Sequence, residues 1–310
     1  MNDAVVIGGG PAGAACALWL HQLGMDVRLL EAGPAVGGLQ LRSPYTNRWI
    51  PGMQGRTGQQ VAAELQDHLL DANVPHTVGF EVTAIRQAAG RQWEVAGGRS
   101  VHRARHVVLA TGSKPRRGGF VESDCIGIGP GVAMERIAVE GRRVAILGGG
   151  DNAFDQAGFA LRRGAASVEI FSRSAPRAQP ILQRQVAAEA VHAGPFQADA
   201  QAMTVNGKPF DVFGVQFGFE ASIPGGLRLA LDNGYIEVDR NGAVPGLPGL
   251  YAAGEVTNFW HPCVTTAYAH GVQVAKSIQN AEMARVAAVP GAIPIGMASG
   301  QRRRETSALS

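Results

Sequence analysis

The sequence predicts an α/β fold with two nucleotide-binding domains, and three observations predict it. Val5-Val6-Ile7-Gly8-Gly9-Gly10-Pro11-Ala12-Gly13 joins a short apolar run to a glycine loop, and the loop opens a stretch with helical apolar spacing. Val144-Ala145-Ile146-Leu147-Gly148-Gly149-Gly150-Asp151-Asn152-Ala153 repeats the arrangement. Glu31 closes the apolar run that follows the first loop, about 20 residues on, where an acid can accept hydrogen bonds from a ribose. Two loops imply two nucleotides, and two nucleotides in one chain suggest hydride passing from one to the other.

In the first loop Gly8, Gly10 and Gly13 match G-x-G-x-x-G. The first allows the tight turn, the second lets a pyrophosphate approach the backbone, and the third lets helix and strand pack closely. The following helix turns its partially positive N-terminus, at Pro11 and Ala12, toward the phosphates.

The remaining elements follow in order. Residues 3–7 and 26–31 read as strands flanking a helix near 11–23, and Gly33 to Gly38 reads as a loop. A helix near 58–72 carries Val61, Leu65 and Leu69. Strand-like pieces lie at 77–87, 91–96 and 99–102, and His106 to Gly112 is an apolar run ending in a turn signal. Ser113 to Gly119, rich in Lys, Pro, Arg and Gly, reads as a linker and the first domain boundary. A second strand-loop-helix unit begins near 142, with its next strand at Ser167 to Phe171. Over 174–214 the signal weakens. The Asn233-Gly234 pair predicts a hairpin within Leu231 to Val238. Gly249 to Glu255 reads as a strand ending in glycine and an acid, 264–285 as a helix, and the Pro/Gly/Ala/Ser-rich residues from 288 as a mobile tail.

Composition sets outer bounds. The chain has 310 residues, 45% hydrophobic and 17% charged, with 42 glycines, a profile of globular domains rich in tight turns. No window approaches the roughly 18 consecutive apolar residues of a membrane span. The N-terminus runs straight into a strand without a basic leader, so the cytoplasm is the expected compartment and no membrane partner is expected. The net charge of +3 is swollen by Arg302, Arg303 and Arg304, and no clustered basic face points to nucleic acid. Cys16, Cys125 and Cys263 lie far apart, in no disulfide or metal spacing.

With these pieces assembled, the chain resembles the thioredoxin-reductase-like branch of the two-dinucleotide-domain flavoproteins. The resemblance rests on Gly8 to Gly13 with Glu31, Gly37-Gly38-Leu39-Gln40, Thr57-Gly58, Ala110-Thr111-Gly112, Gly148 to Ala153, and Gly249 to Glu255 followed by Val264-Thr265-Thr266-Ala267, and it covers roughly residues 3–285. It implies two Rossmann-like three-layer ββα domains, the second inserted in the first. FAD would bind 1–113 with 241–287, a shortened NAD(P) domain would occupy 114–240, and 288–310 would form a tail. It assigns Gly8, Gly10, Pro11, Ala12, Gly13, Glu31, Gly38, Gln40, Val82, Ala110, Thr111, Gly112, Gly254, Glu255, Val264 and Thr265 to FAD. Glu255 would bond the ribityl chain, where the family more often has Asp, and the N-terminus of the 264–285 helix would face the flavin pyrimidine edge. Gly148, Gly150, Asp151, Asn152 and Ala153, a G-x-G-x-x-A variant, would hold NAD(P)H. Arg173 and Arg177 match two of the three arginines that NADPH-preferring relatives carry, which favours NADPH over NADH because a guanidinium fork suits a 2′-phosphate. A homodimer is also implied.

The chain departs from its relatives in chemistry. A thioredoxin reductase carries Cys-x-x-Cys shortly before the second loop, where this chain has Glu135-Arg136-Ile137-Ala138. A dithiol takes electrons from reduced flavin and passes them on by thiolate attack, which these residues cannot do. The 174–214 stretch suggests a trimmed β-meander and leaves a vestigial NAD(P) domain open. Cys16, among Ala14, Ala15 and Ala17, reads as core packing, and Cys125 as structural. His261, a candidate proton donor, and Cys263, at a helix start that lowers thiol pKa, are the two catalytic candidates, with simple packing as the competing reading of Cys263. Residues 286–310 contain no aromatic ring or histidine, which leaves Phe259, Trp260 or Trp49 to cover the flavin. The expected function is an FAD-dependent NAD(P)H oxidoreductase serving a small-molecule or electron-carrier acceptor. The alternatives are a flavoenzyme fed by ferredoxin or oxidising an organic substrate directly, and a flavin-binding redox sensor.

Overall fold

The computed structural model describes residues 1–288, and the sequence tail beyond Ala288 lies outside the described residues. The chain folds as two compact units. One holds Met1–Leu41, Asn47–Gly112 and the described residues from Ala221 on; the other holds Arg42–Thr46 and Ser113–Glu220.

In the first unit β1 (Asn2–Ile7) leads through a glycine turn into α1 (Pro11–Gln22), and β2 (Val27–Leu30) returns parallel to β1. Pro11 opens α1, where its missing N–H has no partner to lose. α2 (Gly58–Asp71) starts at a capping box: Gln60 N–H donates to Thr57 Oγ1 at 3.2 Å, and Thr57 N–H donates to Gln60 Oε1 at 2.8 Å. Then come β3 (His76–Thr77), β4 (Ala84–Ala88), β5 (Gln92–Gly97) and β6 (Ser100–Leu109). The pieces read separately at 99–102 and from His106 onward are one strand. Its first half is exposed on one side against antiparallel β5 and its second half is buried against parallel β1, so the hydropathy changes midway.

The second unit begins with the short β7 (Ser113–Pro115), β8 (Ile126–Ile128) and α3 (Val132–Glu135). β9 (Arg143–Leu147), α4 (Asp151–Arg162) and β10 (Ser167–Ser172) repeat the strand-loop-helix-strand of the first unit. The weak 174–214 stretch holds α5 (Pro180–Gln183), β11 (Val191–Ala193) and an antiparallel meander of β12 (Ala198–Asp199), β13 (Thr204–Val205) and β14 (Lys208–Pro209). The meander expected to be trimmed away is therefore present. Its two-residue strands are too short to show a period, and it is held by Phe196, Met203 and Phe210 packing on Phe171 and Phe213. β15 (Val212–Val215) completes a parallel sheet of order β11-β10-β9-β15-β8. β16 (Phe219–Ala221) pairs with β7.

The chain then returns through β17 (Leu231–Asp232) and β18 (Tyr235–Ile236), the hairpin predicted from Asn233-Gly234, both of which have positive φ. β19 (Leu250–Ala252) adds to β6 in parallel, and α6 (Val264–Ala287) follows. Residues 221–240, placed with the second domain from sequence, pack with the first unit. Ala221, Ile223, Leu227, Leu229 and Val238 lie against the side of the sheet formed by Val5, Ile7, Val107 and Leu109. The opposite side, from Ala4, Val6, Leu29 and Val108, is covered by α1 and α6. Both faces of β1 are buried, as a central parallel strand requires.

Candidate functional site

Both glycine loops are wired alike. Gly8 N–H donates to the Leu30 carbonyl at 2.8 Å, and Gly148 N–H donates to the Phe171 carbonyl at the same distance. The Gly9 carbonyl accepts from Gly37 N–H at 2.8 Å, and the Gly149 carbonyl from Arg177 N–H at 2.8 Å. Each first glycine has positive φ, and a β-carbon there would overlap a main-chain carbonyl, Ala110 for Gly8 and Gln216 for Gly148. A β-carbon on Gly13 would overlap the Gly8 carbonyl oxygen, so this glycine sets the distance between strand and helix.

The middle glycines differ. Gly10 and Gly150 have ordinary negative φ, at −68° and −94°. A β-carbon on Gly150 meets nothing within 4 Å, and on Gly10 only the Gly38 Cα at 3.9 Å. Neither fold nor backbone needs glycine at these positions. Both are N-caps whose side chain supplies no hydrogen bond to the helix, so the first N–H groups of α1 and α4 face cradles that a methyl group would fill. That geometry fits a pyrophosphate at each loop.

Around the first loop the structure gathers the residues read from the sequence. Glu31 accepts Gly9 N–H at 2.5 Å and Gly33 N–H at 2.6 Å, which fixes its carboxylate beside the loop. Gly38, with φ of +57°, lies against Gly10, and Gln40 N–H bonds the Gly37 carbonyl. Ala110 lies beside Gly8 and Gly13, and Thr111 Oγ1 is buried with no partner among the described residues, an orphan that a bound polar ligand would satisfy. Gly112 follows with positive φ. Gly254 packs on Ala12, and Glu255 follows, half-buried. Val82 is half-buried and packs against the sheet cluster that holds Val5 and Leu109.

His261 and Cys263 line a cavity of about 10 Å³, the room of one water, together with Gly254, Glu255, Trp260 and His270. Cys263 is the N-cap of α6: its sulfur accepts Thr266 N–H at 3.5 Å, and Thr266 Oγ1 lies 3.3 Å from it. His261 is exposed, and its carbonyl accepts from Thr266 Oγ1 at 2.5 Å. Val264 and Thr265 form the first turn of that helix. Cys16 is fully buried, and burial pushes its thiol up, which makes it inert at neutral pH.

In the second unit Asp151 accepts Gln179 N–H at 2.7 Å, so it ties down the loop that carries Arg173 and Arg177. Asn152 is exposed and Ala153 buried in the first turn of α4. Matching the two loops by their wiring sets Leu30 opposite Phe171, so Ser172 stands where the first unit has Glu31, and Arg173 follows it. Loss of the acid with an adjacent arginine removes the group that would repel a ribose 2′-phosphate.

Two groups escaped the sequence reading. His270 is buried in α6, and its Nδ1 accepts Gly254 N–H at 3.1 Å; burial lowers its pKa to about 4, so the ring is neutral with its proton on Nε2. Glu282, also buried, accepts His106 Nε2–H at 2.9 Å, Arg105 Nε–H at 3.1 Å and Arg285 Nε–H at 2.9 Å. Burial pushes its carboxyl up, but these donors more than offset that and hold it at about 2. The available signal was register: His270 and Glu282 occupy the buried stripe with Ala267, Gly271, Val274, Ala275 and Ile278.

Comparison with known proteins agrees with this architecture. A thioredoxin reductase of Listeria monocytogenes is 26% identical over 280 residues, covering 82% of this chain and 85% of that protein. The same organism's ferredoxin–NADP reductase 2 is 26% identical over 290 residues, covering 83% and 85%. The crystal structure of Lactococcus lactis thioredoxin reductase superposes with a TM-score of 0.77 at 22% identity, over 90% of this chain and 98% of that one, which shows a shared fold. No helix among the described residues is long and apolar enough to cross a membrane. The family model for pyridine nucleotide-disulphide oxidoreductases matches residues 2–285, and the chain belongs to that family.

Proposed function

We propose that the protein is an FAD-dependent NADPH oxidoreductase that delivers electrons to a small carrier or small molecule, and not to a disulfide through a dithiol of its own. The observation that carries this reading is the pair of identically wired loops, one followed by an acid and the other by Ser172 and Arg173. An acid suits the unphosphorylated ribose of FAD, and the serine-arginine pair suits the 2′-phosphate of NADPH.

Bound FAD supplies the hydride acceptance and electron release that no side chain here can provide. The chain's contribution is placement and charge. The N-termini of α1 and α4 bind the two pyrophosphates, and Glu31 takes the flavin nucleotide's ribose hydroxyls. The first turn of α6, at Val264 and Thr265, favours negative charge beside it and so raises the potential of whatever it faces. His270 holds Gly254, and with it Glu255, without adding a charge.

The three cysteines, at 16, 125 and 263, contain no Cys-x-x-Cys, and Cys263 is engaged as a helix cap. The relative named ferredoxin–NADP reductase supports a protein electron carrier as the acceptor.

The decisive experiment is an anaerobic titration of the purified yellow protein with NADPH and with NADH, following flavin absorbance. Bleaching at lower NADPH than NADH concentration is expected. Equal bleaching by both would overturn the NADPH assignment, and persistent colour with both would overturn the hydride path. No turnover is expected with thioredoxin disulfide under the same conditions.

A further inference from the structure

Arg173 belongs to a cavity that the loop motifs do not describe. It has a volume of about 460 Å³, within the range of small-ligand sites, and lies wholly in the second unit. Arg116, Arg117, Arg173, Phe196, Phe217 and Glu220 line it, and Arg177 does not.

Phe217 organises this cavity. It follows β15, and its ring carries the Arg173 guanidinium 5.9 Å from its centroid. The backbone at Gly118 presses so closely on the same ring that a β-carbon there would overlap it. Phe120 packs between Phe217 and Phe213, with centroids 6.1 and 6.0 Å away. Arg116 N–H donates to the Gly218 carbonyl at 2.9 Å, and Phe120 N–H to the Arg117 carbonyl at 3.1 Å. The segment after β7 is thus fixed against the C-terminal end of β15, and it brings two arginines to the one that follows β10.

Charge in the cavity is unbalanced. None of the three arginines makes an ion pair among the described residues, while Glu220 is already paired with Lys114 at 3.4 Å. Three arginines beside aromatic walls match a sugar phosphate monoester that carries a flat base on the same sugar. Arg177, in contrast, contributes its main-chain N–H to the Gly149 carbonyl.

We propose that Arg116 and Arg117, together with Arg173, form the site for the 2′-phosphoadenosine end of the dinucleotide, and that these linker arginines determine the preference for NADPH over NADH. The inference rests on the reading of the second unit as a nicotinamide nucleotide domain. Adenine would lie against Phe217 or Phe196, and Arg177 would serve its loop and not the phosphate.

The test is calorimetric binding of adenosine 2′,5′-bisphosphate, 5′-AMP and inorganic phosphate to the flavin-loaded protein and to R116A/R117A, R173A and R177A. All four substituted side chains are exposed, so retained flavin and unchanged Tm are expected to certify the fold. Wild type should prefer the bisphosphate over 5′-AMP. R116A/R117A and R173A should each lose that preference by about tenfold or more, leaving 5′-AMP binding unchanged, and R177A should keep it. Loss in R177A with none in R116A/R117A would overturn the inference while leaving the nucleotide domain standing. Equal binding of the two nucleotides by wild type would overturn it as well. Binding of phosphate alone, with neither nucleotide bound, would overturn both the inference and the nucleotide reading of this unit.

Discussion

The Nδ1 atom of His270, inside α6, accepts the N–H of Gly254, sixteen residues earlier, at 3.1 Å. A buried histidine thus fixes the turn that leads to Glu255. Burial lowers its pKa to about 4 from the ordinary 6.5, so between these values the unfolded chain binds a proton that the folded chain refuses. Its contribution to stability is complete above pH 6.5 and is lost as pH falls toward 4, by at most about 1.4 kcal/mol per pH unit. H270N, which keeps an acceptor but cannot titrate, should flatten this part of the stability-pH curve measured by urea unfolding. An unchanged slope in H270N would mean the histidine is not the titrating group.

The Glu282 cluster acts in a lower window. Its folded pKa of about 2 lies below the ordinary 4.5, so its stabilisation is present above 4.5 and disappears as pH falls to 2. E282Q should destabilise the protein by about 3 kcal/mol at neutral pH, because it leaves Arg105 and Arg285 without their shared carboxylate. A loss under about 1 kcal/mol in denaturant titration would show that Asp3, which also pairs with Arg105, suffices to hold that charge.

The glycines separate folding from binding. G10A and G150A should fold with near-native Tm, since their β-carbons meet open space. G10A should weaken FAD retention and G150A NADPH binding, each at least about tenfold, by filling the phosphate cradles. G13A should lower stability by about 1–3 kcal/mol despite alanine's better helix propensity, because its methyl overlaps the Gly8 carbonyl. Thermal melts beside flavin-release titrations would distinguish the two classes, and a G10A protein that stays fully yellow would show that the space beside Gly10 does not hold the pyrophosphate.

Cys263 should prove replaceable. C263S keeps a cap acceptor for Thr266 N–H and should leave turnover and stability unchanged, and C263A should cost at most about 1 kcal/mol. A large fall in turnover for C263S, with Tm intact, would restore the sulfur to a chemical role.

What the sequence determined by itself was local. Strand, glycine turn and helix lie within about ten residues of one another, so the two loops, the acid at Glu31, the Asn233-Gly234 hairpin and the missing dithiol could all be read along the chain. The meander could not, because two-residue strands carry no period and are held by aromatic contacts with distant strands. Tertiary structure alone decided that residues 221–240 pack with the first unit, where their apolar side chains meet β1 and β6. It also placed Arg116 and Arg117 beside Arg173, and His270 beneath Gly254. Those pairings join residues from sixteen positions apart upward, through closure of a sheet or packing of a helix. They are held by packing and by hydrogen bonds whose partners come together only once the chain has folded.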